Sequence, residues 1–265
     1  MDNIRIKPVW SKSKEDIWNE IFEPLEEHSN GNSLPSDERK NKKGFLKRIP
    51  LWAYAASLLL PVFLVCRLYT VTEVTLKGEH SIIKLPDNST VTINADSKVS
   101  YKPFWWYLSR NLSLQGEACF EVKSGSLFCV QSGQNRVKVL GTTFNVFARS
   151  AMYRVSCISG RVEVQSGKES VILNPNMQAV LDKKGFSVNS NVTPSTVTGW
   201  MHGMFVFIDT PLQEVIAEVE RRYNIIVAPG YNPNRIYSGT FAKMKEPEEV
   251  LEIIGKALEI RFYIE

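Results

Sequence analysis

The sequence has few of the residues on which catalytic and metal sites are commonly built. Its 265 residues include three histidines, and none of them lies at ligand spacing from a cysteine or a carboxylate. It contains no phosphate-binding loop, no dinucleotide-binding fingerprint and no nucleophile elbow. These absences predict a protein that is not an enzyme and that uses no metal or organic cofactor.

Net charge and cysteine content are also low. The net charge of +4 is small for this length, and no basic stripe with interleaved aromatic residues indicates direct binding to nucleic acid. The four cysteines are Cys66, Cys119, Cys129 and Cys157. A disulfide between Cys119 and Cys129 across a hairpin is one alternative in an oxidising compartment, and it leaves Cys157 unpaired. Buried free thiols are the favoured interpretation.

One long uncharged stretch, Ile49 to Cys66, follows a cluster of basic residues. It lies near the lower limit for a membrane-spanning helix, which needs about 17 to 25 apolar residues, and flanking residues extend it to 49–69. A cleaved signal peptide is the alternative, but its apolar core is usually about 7 to 15 residues long and its basic region is short. The six lysines and arginines between Arg39 and Arg48 then place residues 1–48 in the cytoplasm and residues 70–265 outside it.

Residues 1–48 contain one predicted amphipathic helix and a basic linker. The helix begins at Ser13, where Asp16 forms a variant of the capping box. Its apolar residues form one stripe that includes Trp18, Ile21, Phe22 and Leu25. A lone helix cannot bury such a stripe, so the stripe is predicted to bind a protein partner. The alternative is that Trp18 and Phe22 lie on the inner membrane surface, but an acidic helix face is poorly suited to anionic lipid.

Beyond the apolar stretch, hydrophobic periodicity predicts two folded modules. Residues 70–190 alternate in short segments separated by turns, which predicts an all-β domain, either a sandwich or a β-helix-like fold. In residues 191–265 two β-α-β units repeat at an offset of 36 residues, with closing strands at 224–228 and 260–264. Thr210 is expected to cap the first helix of this repeat, with Pro211 at its first position. The predicted fold class is mainly β plus α+β, with exposed sheet edges in the C-terminal domain.

The segment from Pro103 to Arg110 contains a pair of tryptophans, Trp105 and Trp106. Such a pair can offer a flat platform to a sugar or to a membrane. In β domains, however, tryptophan pairs more often pack in the core or at a partner interface. Both interpretations remain open at the level of sequence.

The step from Gly141 to Thr142, in the stretch VLGTTFNV, also allows two interpretations. Because glycine tolerates positive φ and close backbone approach, Gly141 is expected to let the chain turn or bulge between strands. The alternative is self-cleavage. The Thr142 hydroxyl attacks the Gly141 carbonyl, the acyl group moves from nitrogen to oxygen, and water opens the resulting ester. Under this alternative Thr143 is a residue of the strand and takes no part in the cleavage.

Several linked segments in order resemble the periplasmic domain of the FecR-type anti-sigma regulators. They are LPDNSTVTINADSKVSY from Leu85, LQGEACFEV from Leu114, VKVLGTTFNVFA from Val137 and GRVEV from Gly160. The C-terminal module is similar to the short signalling domain of secretins and TonB-dependent receptors, and its matching residues are Trp200, Gly203, Phe207, Pro211, Leu212, Arg221 and Tyr223. The resemblance covers roughly residues 72–265.

The resemblance implies a single-pass inner-membrane protein with its N-terminus in the cytoplasm and its C-terminus in the periplasm. Such proteins hold an extracytoplasmic-function sigma factor and contact the signalling domain of an outer-membrane TonB-dependent transporter. Cleavage by inner-membrane proteases then releases the sigma factor. The resemblance also supports self-cleavage at the Gly-Thr step. The alternative function is a membrane-tethered periplasmic binding or assembly module without sigma control.

Overall fold

The computed structural model describes Asp16 and residues 51–149, 152–242 and 244–265. Backbone contacts divide the chain into two units, 1–55 and 56–265. Helix α1 (Leu51–Leu68) contains Pro61 and carries Arg67 in its last turn. No helix in the described part of the chain combines the length and the apolarity that a membrane crossing requires. The span at residues 49–69 therefore stays a prediction.

In the described residues between 71 and 189, thirteen strands follow one another. They are β1 (Val71–Thr75), β2 (Ser81–Lys84), β3 (Thr90–Ile93), β4 (Ser97–Tyr101), β5 (Arg110–Glu121), β6 (Phe128–Ser132), β7 (Asn135–Val139), β8 (Thr143–Arg149), β9 (Met152–Ser159), β10 (Val162–Ser166), β11 (Glu169–Leu173), β12 (Met177–Asp182) and β13 (Gly185–Asn189). The alternation of apolar residues shows in their burial, as in β10, where Val162 and Val164 are buried.

The strands form two seven-stranded halves that share β5. The order is β1-β4-β5-β6-β7-β10-β11 in one half and β2-β3-β5-β8-β9-β12-β13 in the other. Strand β5 passes between the halves near Gly116, because Arg110 to Ser113 pair with β6 whereas Gly116 to Glu121 pair with β8. Gly116 has a φ of +98°, and a Cβ there would collide with Ser97. Glycine is therefore required where β5 changes partners.

The two halves enclose one apolar core. Phe120 and Phe144 stack with ring centroids 5.0 Å apart, and Phe128 of the opposite half lies 6.2 Å from Phe120. Trp106 packs edge-on against Phe128 at 5.7 Å. Fully burying a side chain of this size stabilises the fold by about 1.5 to 3 kcal/mol. The mainly β prediction is confirmed, and the enclosed core corresponds to the sandwich alternative.

One set of loops lies at the end of the sandwich where α1 leads into β1, and we call this the α1 end. The first residue of β1, Val71, pairs with the last residue of β4, Tyr101. The guanidinium of Arg110, at the start of β5, donates hydrogen bonds to loops 85–89 and 122–127. These loops are thereby joined at the α1 end.

The C-terminal module forms a second, smaller core. Its elements are α2 (Pro194–Thr198), a 3-10 turn (Gly199–His202), β14 (Met204–Pro211), α3 (Leu212–Tyr223), β15 (Ile236–Ala242) and α4 (Pro247–Leu258). Strands β14 and β15 are antiparallel, and Phe205 stands opposite Phe241, its counterpart in the sequence repeat. The helix residues buried beneath them are Leu212, Val215, Ile216, Val219, Val250, Leu251, Ile254 and Leu258.

The predicted cap of α3 is wrong. The Thr210 hydroxyl donates to the carbonyl of Ile208 instead of to the helix, and Pro211 is the N-cap residue. The first amides of the helix, those of Leu212 and Gln213, donate to backbone carbonyls in the loop before β15. A backbone partner has replaced the side-chain cap.

The closing strands predicted at 224–228 and 260–264 are reduced to a single bridge between Val227 and Ile264 in the described structure. Ile225, Phe262 and Ile264 pack against the second core. These apolar residues therefore cover the second core, and they do not extend the β14–β15 sheet.

Candidate functional site

The Gly141–Thr142 step lies between β7 and β8 at the α1 end. A Cβ on Gly141 would lie 2.7 Å from Ser124 Cα and 3.0 Å from Ser124 Cβ, so loop 122–127 approaches the backbone closely here. Within the described residues, Gly141 is not one of the glycines with positive φ. The register of β8 against β9 shifts two steps later, between Thr143 and Phe144. The close approach that we expected is present, whereas the positive φ is not. Gly141 is needed here because a side chain would collide with Ser124, and not because the backbone is left-handed.

The Thr142 side chain is enclosed at this step. It is 4% exposed, and its Oγ1 donates a hydrogen bond to the carbonyl of Arg161 at 3.0 Å. Gly160, with a φ of +83°, passes so near that a Cβ on it would lie 2.9 Å from the Gly141 carbonyl oxygen. Because Oγ1 donates its hydrogen to the carbonyl of Arg161, its lone pairs are not used by that hydrogen bond and stay available for attack on a carbonyl carbon. Self-cleavage at this bond remains a prediction.

A second candidate site is the contact between the sandwich and the C-terminal module, which we call the module interface. Its centre is Glu117 of β5, whose carboxylate accepts hydrogen bonds from Asn94 at 2.7 Å and from Asn145 at 2.9 Å. Asn145 also accepts a hydrogen bond from the indole nitrogen of Trp200 at 3.4 Å. The carboxyl group of one module is thus linked through an amide to a tryptophan of the other.

Burial raises the pKa of Glu117, and the nearby negative charge of Glu218 raises it further. The hydrogen bonds from the two asparagines and the positive charge of Arg149 act in the opposite direction without cancelling the effect of burial. Removing a carboxylate from water is expensive unless it is fully paired. Glu117 is therefore a charge-sensitive point in the interface.

Charged contacts surround this centre. Arg154 of β9 lies 3.7 Å from the carboxylate of Glu214 on α3, and its guanidinium lies 4.3 Å from the ring centroid of Phe147. The amide of Gly78 donates to the carbonyl of Arg221 in α3 at 2.8 Å. The interface thus rests on polar contacts that join β9 and the loop after β1 to one helix.

Arg222 and His80 add two more groups whose charge is disfavoured. The Arg222 guanidinium stacks 3.9 Å from the ring centroid of Phe205, and burial lowers its pKa. His80 lies 5.7 Å from Trp200, and burial, followed by the charge of Arg222, lowers its pKa. A cavity of about 390 Å³ lies beside Arg222 and is lined by residues of both modules, among them Glu117, Trp200 and Glu214. Polar interfaces of this kind separate more readily than apolar cores.

The structure places the other predicted residues as follows. Trp18, Ile21, Phe22 and Leu25 lie outside the described residues. Trp106 is fully buried, whereas Trp105 is half-buried. No group of three histidine, cysteine or carboxylate residues able to hold a metal occurs in the described part of the chain.

The cysteines confirm the interpretation as free thiols. Cys119, Cys129 and Cys157 are buried and unpaired with one another. Burial raises the pKa of Cys119 to about 12 and that of Cys157 to about 11. These thiols therefore behave as small apolar residues of the core.

Sequence reasoning missed the module interface. Glu117 and Asn145 occupy strand positions whose polarity reads as solvent exposure, and nothing local indicates that a second module covers that face. One signal was available, because Trp200 directly precedes the C-terminal repeat and large aromatic residues often mark contacts between modules.

Two family models match the chain, at residues 71–163 with "FecR protein" and at residues 204–265 with "FecR, C-terminal". Two crystal structures, each of a protein from Parabacteroides distasonis assigned as an anti-sigma factor, are also similar. One has 30% identity and a TM-score of 0.69, and the other has 31% identity and a TM-score of 0.68. Each similarity covers 74% of this chain and 95% of that one. No curated protein sequence matches the chain.

Proposed function

Because the chain belongs to the FecR family, we propose that it is a single-span inner-membrane anti-sigma factor controlled from the periplasm. The structural relatives support an anti-sigma role in general. In the finer proposal, residues 1–48 hold an extracytoplasmic-function sigma factor, and α1 lies in the span predicted at 49–69. An outer-membrane TonB-dependent transporter signals through its own signalling domain, and inner-membrane proteases then release the sigma factor.

The observation that carries the proposal is the polar and charged module interface. A relay needs a contact that holds in the resting state and yields when a partner binds. The Arg154–Glu214 pair and the hydrogen bonds of Glu117 hold the modules together in the resting state. The buried charges favour separation when a partner binds, because burying a charge costs free energy that is recovered on exposure to water.

The C-terminal module also offers a receiving surface. In the described residues, β14 and β15 pair only with each other, so each keeps an unpaired outer edge. Exposed Ile208 and Ile236 lie on these strands. An extended segment can add to such an edge through main-chain hydrogen bonds, while its side chains contact the exposed apolar residues. The transporter's signalling domain is the partner that we propose for this edge.

Self-cleavage at Gly141–Thr142 is the second part of the proposal. Cleavage would divide the chain within the sandwich, and residues 1–141 would stay bound to residues 142–265 through the pairing of β8 with β5 and of β10 with β7. A signal that loosens the sandwich would then separate two chains without further chemistry.

One experiment tests the central claim. The full chain, tagged at its C-terminus, is purified from membranes and its bound proteins are identified by mass spectrometry, beside a chain that lacks residues 1–48. Recovery of one sigma factor with the full chain alone supports the proposal. Recovery of no sigma factor, together with unchanged sigma-dependent transcripts in a strain without the protein, would favour the alternative of a tethered binding or assembly module.

A further inference from the structure

The α1 end of the sandwich carries exposed apolar side chains that the proposed function does not use. In the loop between β4 and β5, Phe104, Tyr107 and Leu108 are 60%, 81% and 77% exposed. Leu127, before β6, and Leu140, after β7, are also exposed, and the pairing of β6 with β7 places them at this end. Large apolar groups gathered on one surface mark a contact with a partner or a membrane.

The two tryptophans of this loop have different roles. Trp106 is buried against Phe128 and fixes the loop to the core. Trp105 instead packs against α1, with its ring centroid 5.8 Å from that of Phe63 and 4.9 Å from the Arg67 guanidinium. These two adjacent residues therefore attach the middle of the loop to α1 on one side and to the core on the other, and the exposed residues flank this attachment.

The exposed surface is continuous with the last turns of α1. Phe104 lies 5.5 Å from Tyr69, which directly follows the helix. Phe63, Val65 and Leu68 of the helix are themselves exposed. The exposed apolar side chains of the helix and of the loop therefore form one surface, which we expect the same apolar environment to cover.

The charges around this surface are mainly positive. Lys102, Lys123 and Arg161 are exposed in the loops of the α1 end, against the exposed carboxylate of Glu121. Cations beside apolar and aromatic groups are typical of surfaces that meet anionic lipid headgroups. A protein partner would not require this combination next to an apolar helix.

We propose that the α1 end rests in the headgroup layer of the membrane, with Phe104, Tyr107 and Leu108 at the interface between headgroups and acyl chains. This inference rests on the proposed membrane span of α1. Tyrosine prefers that depth, and phenylalanine and leucine side chains of interfacial segments are buried at the boundary between headgroups and acyl chains. The contact would set the orientation of the sandwich on the membrane. It would also point the C-terminal module away from the membrane, because the Gly78–Arg221 hydrogen bond attaches that module beyond the other end of β1.

Site-specific fluorescence tests the contact in the full chain. The protein carries Cys66→Ala, and the remaining cysteines are buried with raised pKa values, so they label poorly. The environment-sensitive fluorophore NBD is attached at Tyr107→Cys, at the matched control Tyr263→Cys, which is 62% exposed, or at Leu59→Cys in α1. Each protein is reconstituted into nanodiscs of phosphatidylethanolamine and phosphatidylglycerol. Nitroxide quenchers are placed either near the headgroup or in the middle of the acyl chain.

The headgroup quencher is expected to reduce fluorescence strongly at position 107 and weakly at position 263, while the deep quencher acts on position 59. Equal quenching at 107 and 263, with position 59 still quenched, would overturn the membrane contact and leave the surface to a protein partner. If position 59 is not quenched by either lipid, the proposed span itself fails. The two failures are therefore distinguishable.

Discussion

At the scale of single residues, Glu117 is the group whose ionisation is most closely tied to docking of the C-terminal module. A carboxyl group whose pKa is raised in the folded state binds its proton more tightly there than in the unfolded chain. The free energy of unfolding is therefore expected to fall as the pH rises above the ordinary value of 4.5 and passes through the raised pKa. Glu117→Gln removes the ionisation and should flatten this dependence.

Thermal unfolding of the full chain in detergent, followed at several pH values, checks this expectation. Glu121→Gln, an exposed change on the same strand, is the matched control and should keep the slope of the wild type. If the curves for Glu117→Gln and wild type run parallel, the raised pKa has no part in stability.

A second prediction at this scale concerns Thr142. If its hydroxyl attacks the Gly141 carbonyl, intact mass spectrometry of the purified chain should show one fragment that ends at Gly141 and one that begins at Thr142. Thr142→Ala removes the nucleophile and should give an uncut chain. Thr143→Ala keeps the nucleophile and should still be cut. A wild-type chain that stays whole after long incubation leaves Gly141 with its packing role against Ser124 alone.

At the scale of elements, the predicted N-terminal helix is expected to bind the sigma factor through its apolar stripe. Large aromatic residues usually dominate such contacts, so Trp18→Ala is expected to weaken binding by about 2 kcal/mol or more. Trp10→Ala, the same change before the predicted helix, is the control. Affinity between the full chain in detergent and the sigma factor is the measurement. Equal loss in both variants would show that the stripe is not the binding surface.

Elements were predictable from sequence where local chemistry decides them. The apolar face of α3, Leu212, Val215, Ile216 and Val219, is buried as its helical spacing predicts. The cap at Thr210 was not predictable, because the loop before β15 supplies the carbonyls that a side chain would otherwise provide. The same limit applies to the module interface, since the partners of Glu117 come from distant parts of the chain.

At the scale of the whole molecule, the module interface decides how a signal outside could reach α1. Removing Arg154 leaves the partly buried carboxylate of Glu214 without its cation, which is expected to weaken docking by about 0.5 to 3 kcal/mol. Arg154→Ala should therefore loosen the C-terminal module and raise basal sigma-dependent transcription. Arg154→Lys keeps the charge and should stay closer to wild type. Unchanged basal output in Arg154→Ala would mean that docking does not restrain release.

Deleting residues 200–265 tests the relay as a whole. The deletion removes the strand edges of β14 and β15 and the indole of Trp200, but it leaves both halves of the sandwich and its core intact. The truncated chain is therefore expected to remain in the membrane fraction and to lose the response to transporter substrates. Sigma-dependent transcripts, measured with and without those substrates, report the response, and immunoblots of membranes report the chain. A truncated chain that still responds normally would assign reception of the signal to the sandwich, and the polar interface would then serve only to attach the C-terminal module.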